Sequence, residues 1–120
     1  MVLADTSVWV DFLRGRSPIL AELLENDSVF MHPFIAGELA CGNLKDRSSF
    51  LRDLCFLPQS AQPTDEECRR VLEVHKLWGL GIGWIDIHLL ASALLSDCEL
   101  WTLDGALQRA ARQAGTKLRA

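Results

Sequence analysis

The stretch VLADTSVW, residues 2–9, decides the fold that we predict for this chain of 120 residues. Its first three residues are apolar and typical of a short buried strand, which ends at Asp5. Thr6 or Ser7 is then a suitable N-cap for a helix that begins directly after the strand. A buried strand followed at once by a helix is the repeating unit of α/β proteins.

The rest of the sequence repeats this alternation of strands and helices. Residues 28–31 and 99–103 form two further apolar runs, and residues 57–63 and 117–118 are candidates for short edge strands. Between these runs lie amphipathic or apolar segments whose first residues carry helix-capping signals. Because strands that alternate with helices form parallel sheets covered on both faces, we predict a single α/β domain over residues 1–120.

The charge balance limits how the protein interacts with nucleic acid. Sixteen acidic residues stand against 12 basic ones, so the formal net charge is −4. This excess argues against a protein that binds nucleic acid through bulk charge alone. It is compatible with an enzyme whose acids surround bound cations, because those cations cancel the charge locally.

Cysteine usage and hydropathy favour an intracellular globular protein. The four cysteines include no C-x-x-C pair, so we expect reduced, mostly buried thiols and no zinc ribbon. The N-terminus lacks the basic region of a signal peptide, and no apolar run approaches the roughly 18 residues of a membrane span. We therefore expect a soluble, cytoplasmic protein that does not bind a membrane.

Four acidic residues occupy positions where a lone acid is costly. Asp5 and Asp104 end predicted strands, and ligands of parallel sheets bind outside the carboxyl ends of the strands. Glu38 and Asp86 interrupt apolar helical stretches. Taken singly, Glu38 is explained as an exposed acid on an amphipathic helix and Asp86 as an acid at a helix N-terminus. Taken together, the four acids predict a site for Mg²⁺ or Mn²⁺, ions that prefer oxygen ligands and promote phosphodiester hydrolysis.

Four segments around these acids resemble the motifs of PIN-domain nucleases. They are DTSVW (residues 5–9), PFIAGELA (33–40), GIGWID with LLASA (81–86 and 89–93) and LWTLD (100–104). The similarity runs nearly from end to end and is strongest to the VapC toxins of bacterial toxin–antitoxin pairs. The four acids stand in order, each within its motif, which makes the resemblance specific.

The resemblance implies a three-layer α/β/α PIN-like domain with a central, mostly parallel sheet. It also implies a Mg²⁺-dependent endoribonuclease, with Mn²⁺ as a substitute, that cleaves structured RNA and leaves 5′-phosphate and 3′-hydroxyl ends. The implied partners are the RNA substrate, a cognate antitoxin protein and a second copy of the chain in a homodimer. The implied metal ligands and catalytic residues are Asp5, Glu38, Asp86 and Asp104.

Several residues near the motifs are candidates for substrate contacts. Thr6 and Thr102 lie beside two of the acids and are suited to orient a carboxylate or a water molecule. Four basic residues follow the helices that start from or carry acids, so they are candidates for phosphate contacts: Arg14, Arg16, Lys45 and Arg47. A solvated basic surface explains these four cations equally well.

Aromatic residues near the acids have two interpretations. The four tryptophans are expected in the core, but Trp9 or Trp84 is also suited to stack on a base. His88 lies half a helical turn beyond Asp86. We consider a contact between His88 and the substrate, but the sequence favours it less than the absence of such a contact.

Two alternatives to a nuclease remain open. A phosphotransfer enzyme or a receiver-type signalling domain also places acids at strand ends. Ser7 occupies the position where a haloacid-dehalogenase-type phosphatase needs a second acid, and no distal receiver lysine is evident. The other alternative is a catalytically silent PIN-like module that binds RNA or protein, and the intact set of acids argues against it.

Overall fold

The computed structural model describes residues 1–119, so Ala120, the last residue of the predicted domain, lies outside the described residues. Strands and helices alternate along the chain as the sequence predicts. In chain order the elements are β1 (Val2–Ala4), α1 (Thr6–Leu13), α2 (Pro18–Glu25), β2 (Val29–Phe30), α3 (Pro33–Ala40), α4 (Arg47–Leu54), α5 (Asp65–Val74), α6 (Trp84–Ser96), β3 (Glu99–Trp101) and α7 (Gly105–Gln113).

The three strands form one parallel sheet in the order β2-β1-β3. Both pairings of β1 are parallel, so this first strand lies in the centre of the sheet. Single parallel bridges, from Met31 to Gln59 and from Leu100 to Leu118, extend the sheet at both edges. The predicted parallel sheet and its two predicted edge segments are therefore observed. The carboxyl ends of β1 and β3 meet at one edge of the sheet.

The sheet and helix α6 form the centre of the hydrophobic core. Every residue of β1 is buried, and residues 87–93 of α6 are buried without interruption. Helix α1 packs against β1, α2 and α3, while α6 packs against β3 and α5, so two groups of helices lie against the sheet. Within residues 1–119, no helix has the length and apolarity needed to cross a membrane.

The prediction of mostly buried thiols is wrong for half of the cysteines. Cys68 and Cys98 are buried, whereas Cys41 and Cys55 are exposed, and all four are free. The exposed pair lies at the C-caps of α3 and α4, where the chain leaves the helix and turns toward solvent.

The cap of α1 differs from the sequence prediction. Asp5, and not Thr6 or Ser7, is the N-cap: its backbone is extended, and its carboxylate accepts a hydrogen bond from the Val8 N–H at 3.3 Å. One residue can follow a strand and cap a helix because an N-cap residue keeps the extended backbone of the strand that precedes it. The same residue therefore ends β1 and starts α1.

The end of β3 also differs from the sequence prediction. The strand ends at Trp101, so Asp104 does not end it but lies beyond it and caps α7, accepting from the Ala106 N–H at 2.9 Å. The physical reason is a local turn, in which the Thr102 hydroxyl accepts a hydrogen bond from the Asp104 N–H. Thr102 is thus the residue that directly follows β3.

Candidate active site

Asp5 is the fixed centre of the candidate site. Its side chain is buried, with the residue only 7% exposed, and both of its carboxylate oxygens are engaged. Oδ1 accepts hydrogen bonds from the Ser7 hydroxyl and the Val8 N–H, and Oδ2 accepts from the Thr102 hydroxyl. A buried carboxylate with three donors is held in one orientation, because each lost hydrogen bond would leave a desolvated charge unpaired.

Two hydroxyl groups connect Asp5 to the loop between β3 and α7. The Thr102 hydroxyl accepts from the Asp104 N–H, and the Ser7 hydroxyl accepts from the Leu103 N–H, each at 3.0 Å. The backbone adds the Asp5 N–H, which donates to the Trp101 carbonyl at 2.9 Å. The chain at Asp104 is therefore positioned by the same network that holds Asp5.

Asp86 lies in the first turn of α6 and shares an electrostatic environment with two other acids. It is half-buried, and its Oδ2 accepts a hydrogen bond from the Gly83 N–H at 3.1 Å. Burial raises the pKa of the Asp86 carboxyl, the Gly83 hydrogen bond opposes this, and the negative charges of Asp104 and Asp5 raise the pKa further. The N-cap residues of α1 and α7, Asp5 and Asp104, thus lie near enough to Asp86 for their charges to act on it.

Glu38 approaches the site from α3 and is attached to it by one hydrogen bond. The residue is exposed, and its Oε1 accepts from the Thr6 hydroxyl at 3.0 Å. Thr6 directly follows Asp5, so this contact places the Glu38 side chain beside the start of α1. Its position depends on a surface hydrogen bond rather than on burial.

The chemistry of these donors fits a hard divalent cation, because every candidate ligand atom is a carboxylate oxygen. Among residues 1–119, however, no three side chains of His, Cys, Asp or Glu lie close enough together to hold an ion directly. Mg²⁺ usually keeps several waters and binds proteins through one or two carboxylates. The arrangement therefore fits an ion held by one or two of these acids, with water molecules linking it to the others.

The residues predicted to contact substrate have different surroundings. Thr6 donates a hydrogen bond to Glu38 and Thr102 donates one to Asp5, and a contact of either residue with the substrate stays a prediction. Arg14 is exposed and lines a cleft that also contains Glu38. Lys45 is exposed in the loop between α3 and α4.

Arg47 has a structural contact that sequence reasoning missed. Its guanidinium donates to the carbonyls of Ala40 and Gly42, the latter at 3.2 Å. These carbonyls lie at the C-terminal end of α3, where a cation satisfies free acceptors and the helix dipole. The contact supports a role for Arg47 in capping the C-terminal end of α3. A contact between Arg47 and a phosphate stays a prediction.

The aromatic candidates separate into core and surface. Trp9 and Trp101 are buried, whereas Trp78 and Trp84 are exposed, so the expectation of core tryptophans is confirmed for the first two and wrong for the other two. Of the two candidates for base stacking, only Trp84 is accessible. The reason is position, since Trp84 is the first residue of α6 and Trp9 faces the core from the middle of α1.

The two histidines near the site are buried. His88 is enclosed edge-on by the rings of Phe34 and Trp84, each with its centroid 4.9 Å away. His32 is the N-cap of α3 through its Nδ1, which accepts from the Phe34 N–H at 3.0 Å. Burial and the neighbouring His88 lower the pKa of His32, which favours the neutral form that this cap requires. Both histidines thus support the packing of α3 against α6.

Ser7 has a bridging role that the sequence does not predict. Its hydroxyl does not cap α1 but joins Asp5 to the backbone of Leu103. The available signal was a hydroxyl residue two positions after a strand-ending acid.

Comparison with known proteins identifies the family. The PIN domain family model matches residues 2–113, nearly the whole chain. The chain belongs to the PIN domain family. This PIN domain is 40% identical over 119 residues to the protein named Ribonuclease VapC32 from Mycobacterium tuberculosis, strain CDC 1551 / Oshkosh, and equally to that from strain ATCC 25618 / H37Rv. Each alignment covers 98% of this chain and 96% of the relative.

The family match covers all four acids of the candidate site. The family and the three-layer α/β/α fold class predicted from the sequence are confirmed, and the predicted ribonuclease activity agrees with the name of both relatives. Membership of the PIN domain family also argues against the phosphotransfer and receiver-type alternatives.

Proposed function

We propose that this PIN domain is a metal-dependent endoribonuclease that hydrolyses phosphodiester bonds in RNA and acts as the toxin of a toxin–antitoxin pair. The observation that carries the proposal is the group of three carboxylates, from Asp5, Asp86 and Asp104, at the carboxyl edge of a parallel sheet. Burial raises the pKa of Asp86 most, the charges of Asp104 and Asp5 raise it further, and a bound cation offsets such charges. Both relatives are named as ribonucleases, which fits this chemistry.

The proposed metal is Mg²⁺, for which Mn²⁺ substitutes. When bound, such an ion supplies a Lewis acid and lowers the pKa of an attacking water. The proposed ligands and catalytic residues are Asp5, Glu38, Asp86 and Asp104, which act directly or through water.

The chain's own groups have distinct parts in the proposed hydrolysis. The network of Ser7 and Thr102 keeps Asp5 fixed, so its acceptor atoms need no reorganisation during the reaction. Glu38 extends from α3 toward the position of the substrate. One of the four carboxylates accepts the proton of the attacking water. Water attacks phosphorus as the bond to the 3′ oxygen breaks, and the departing oxygen takes a proton from solvent, which leaves a 3′-hydroxyl and a 5′-phosphate.

The proposed protein partner is a cognate antitoxin that inhibits the enzyme. An arginine from such a partner would pair with the carboxylates of the site and displace the metal. Co-expression with the adjacent gene product tests this proposal. Relief of growth inhibition by a stable complex supports it, and persistent inhibition despite a stable complex contradicts it.

A homodimer is the second proposed assembly, and an apolar patch near the site supports it. Phe34, Trp84 and Ile85 are exposed by 39%, 41% and 41%, and the first two flank the same buried histidine. Exposed apolar patches of this kind commonly mark protein interfaces. Light scattering over a range of protein concentrations tests the proposal, which a monomer at every concentration would contradict.

Cleavage of labelled RNA by the purified protein tests the proposed activity. We expect cleavage with Mg²⁺ or Mn²⁺, none with excess chelator, and products with 5′-phosphate and 3′-hydroxyl ends. Asp5→Asn should be inactive, while Asp53→Asn, which changes an exposed acid of α4, should cleave normally. Metal-independent cleavage, or a 2′,3′-cyclic phosphate, contradicts the mechanism. RNA binding without cleavage by the unaltered protein would favour the catalytically silent module instead.

A further inference from the structure

A cleft of about 360 Å³ opens beside the candidate site, between α1, α3 and the loop that follows α3. Its walls are largely apolar and include Val10 and Leu13 from α1, Leu39 from α3 and Leu44 from the loop. Small-molecule sites usually measure about 300–1,000 Å³, so this cleft is near the lower limit. It is large enough for one flat ring system.

The cleft is continuous with the candidate active site. Thr6 and Glu38 both line it, and these two side chains are hydrogen-bonded to each other at 3.0 Å. Thr6 is also the residue that follows the buried Asp5. A group in the cleft therefore lies directly beside the proposed reacting centre.

Two polar residues give the cleft the chemistry of a nucleotide site. Arg14, at the C-terminal end of α1, lines the cleft and takes part in none of the ion pairs formed within residues 1–119. Asn43, in the loop after α3, also lines it, and its amide carries both donor and acceptor atoms. An arginine is suited to a phosphate and an asparagine to the edge of a base, while the apolar walls are suited to the faces of the base.

We infer that this cleft binds one unpaired nucleobase of the RNA substrate, next to the phosphodiester that is cleaved. Asn43 reads the edge of this base, and Arg14 contacts a flanking phosphate. The inference rests on the proposed ribonuclease function and adds a determinant of its sequence preference. It accords with the way in which proteins read single-stranded RNA, through splayed bases inserted into pockets.

Cleavage of a randomised single-stranded RNA library with Mn²⁺, followed by sequencing of the product ends, tests the inference. The unaltered protein should prefer one base at one position beside the cut. Asn43→Ala should reduce that preference about tenfold while cleavage persists, because each good contact to a base edge contributes about this much discrimination. Arg14→Ala should raise KM about tenfold without changing the preferred base, because a phosphate contact carries no sequence information.

Arg52→Ala is the control for Arg14→Ala. Arg52 is an exposed arginine of α4 that does not line the cleft, so its loss should change neither KM nor the preferred base. A binding readout that does not depend on turnover uses the Asp5→Asn protein and RNA that contains 4-thiouridine. Light-induced cross-links should map to residues 42–44 and should decrease in Asp5→Asn/Asn43→Ala.

The outcomes separate this inference from the proposed function. If the protein cleaves RNA but Asn43→Ala keeps the same base preference, or cross-links map elsewhere, the cleft does not bind the base and only this inference is wrong. If Asn43→Ala alters inhibition by the antitoxin but not base preference, the cleft belongs to the protein partner. If the unaltered protein cleaves no RNA with Mn²⁺, the proposed function is wrong, and the inference is wrong with it.

Discussion

The two sides of the candidate site are built in different ways. On the sheet side, Asp5 is buried and receives three hydrogen bonds from Ser7, Val8 and Thr102. On the α3 side, Glu38 is exposed and receives one hydrogen bond, from Thr6. The sheet side is therefore fixed by folding, whereas Glu38, which has a single surface contact, is able to adapt when metal and substrate bind.

The largest expected effect comes from removing one charge on the rigid side. Asp5→Asn should lower kcat on the order of 10²–10³-fold, because it removes a preorganised negative charge that the site cannot replace. Glu38→Gln should lower kcat only about tenfold, because an adaptable side chain is more easily replaced by water. Steady-state cleavage of one defined RNA by both variants makes the comparison. Equal losses would mean that the two sides contribute in the same way.

The next effect concerns the hydroxyl groups that support the two acids. Thr102→Val leaves an oxygen of buried Asp5 and the Asp104 N–H without partners, so it should cost about 1–3 kcal/mol of unfolding free energy. It should also weaken metal affinity about 10–100-fold, as loss of a ligand-orienting group usually does. Urea unfolding and Mn²⁺ titration measure the two quantities.

Thr6→Val is the matched variant on the α3 side. It removes only the surface hydrogen bond to Glu38, so the unfolding free energy should change by less than about 0.5 kcal/mol. If Thr6→Val lowers the unfolding free energy as much as Thr102→Val, the hydrogen bond on the α3 side stabilises the protein as much as those on the sheet side.

The smallest expected effect is a pH dependence of stability that arises from Asp86. Its pKa is raised in the folded state, first by burial and then by Asp104 and Asp5, so the folded protein holds this proton more tightly than the unfolded chain. Stability is therefore lost as the pH rises from the unfolded pKa through the folded pKa, and stays lower above it. Metal-free Asp86→Asn should be more stable than the unaltered protein at neutral pH.

This gain should shrink as the pH falls through the folded pKa of Asp86 and below the ordinary pKa of aspartate, where the side chain at this position is neutral in both proteins. Urea unfolding of the two metal-free proteins at neutral and acidic pH measures it. Asp53→Asn, at an exposed position of α4, should show no such gain. A loss of stability in Asp86→Asn at neutral pH would mean that the hydrogen bond to Gly83 outweighs the cost of burial.

Most of the fold was predictable because it depends on local signals. Apolar runs marked the strands, and capping signals marked the helices. The structure contains one such signal as a capping box, formed by Thr64 and Glu67 at the start of α5. The positions of the four acids in the sequence also indicated the site. Their surroundings were not predictable, since the Thr102 hydroxyl that holds Asp5 is 97 residues away and reaches it only because β3 pairs with β1.

Contacts between side chains that the sequence pattern does not record also explain why the end of β3 and the cleft were not predicted. Whether β3 ends at Trp101 or at Asp104 depends on the Thr102 side chain, which turns the backbone through a hydrogen bond that the apolar pattern does not record. The cleft forms between side chains of α1, α3 and a loop, so no single segment predicts it. Packing between distant segments therefore decides the details that matter most for function.

Thermal melting with and without Mn²⁺ tests the central claim, that the acids at the sheet edge bind a divalent metal. At a hundredfold excess over its dissociation constant, a ligand of the folded state adds about 2.7 kcal/mol of stability, an increase in Tm on the order of 10 °C for a domain of this size. The unaltered protein should show most of this increase and Asp5→Asn much less. If Mn²⁺ raises the Tm of both proteins equally, Asp5 is only a helix cap, and the proposed metal site is wrong.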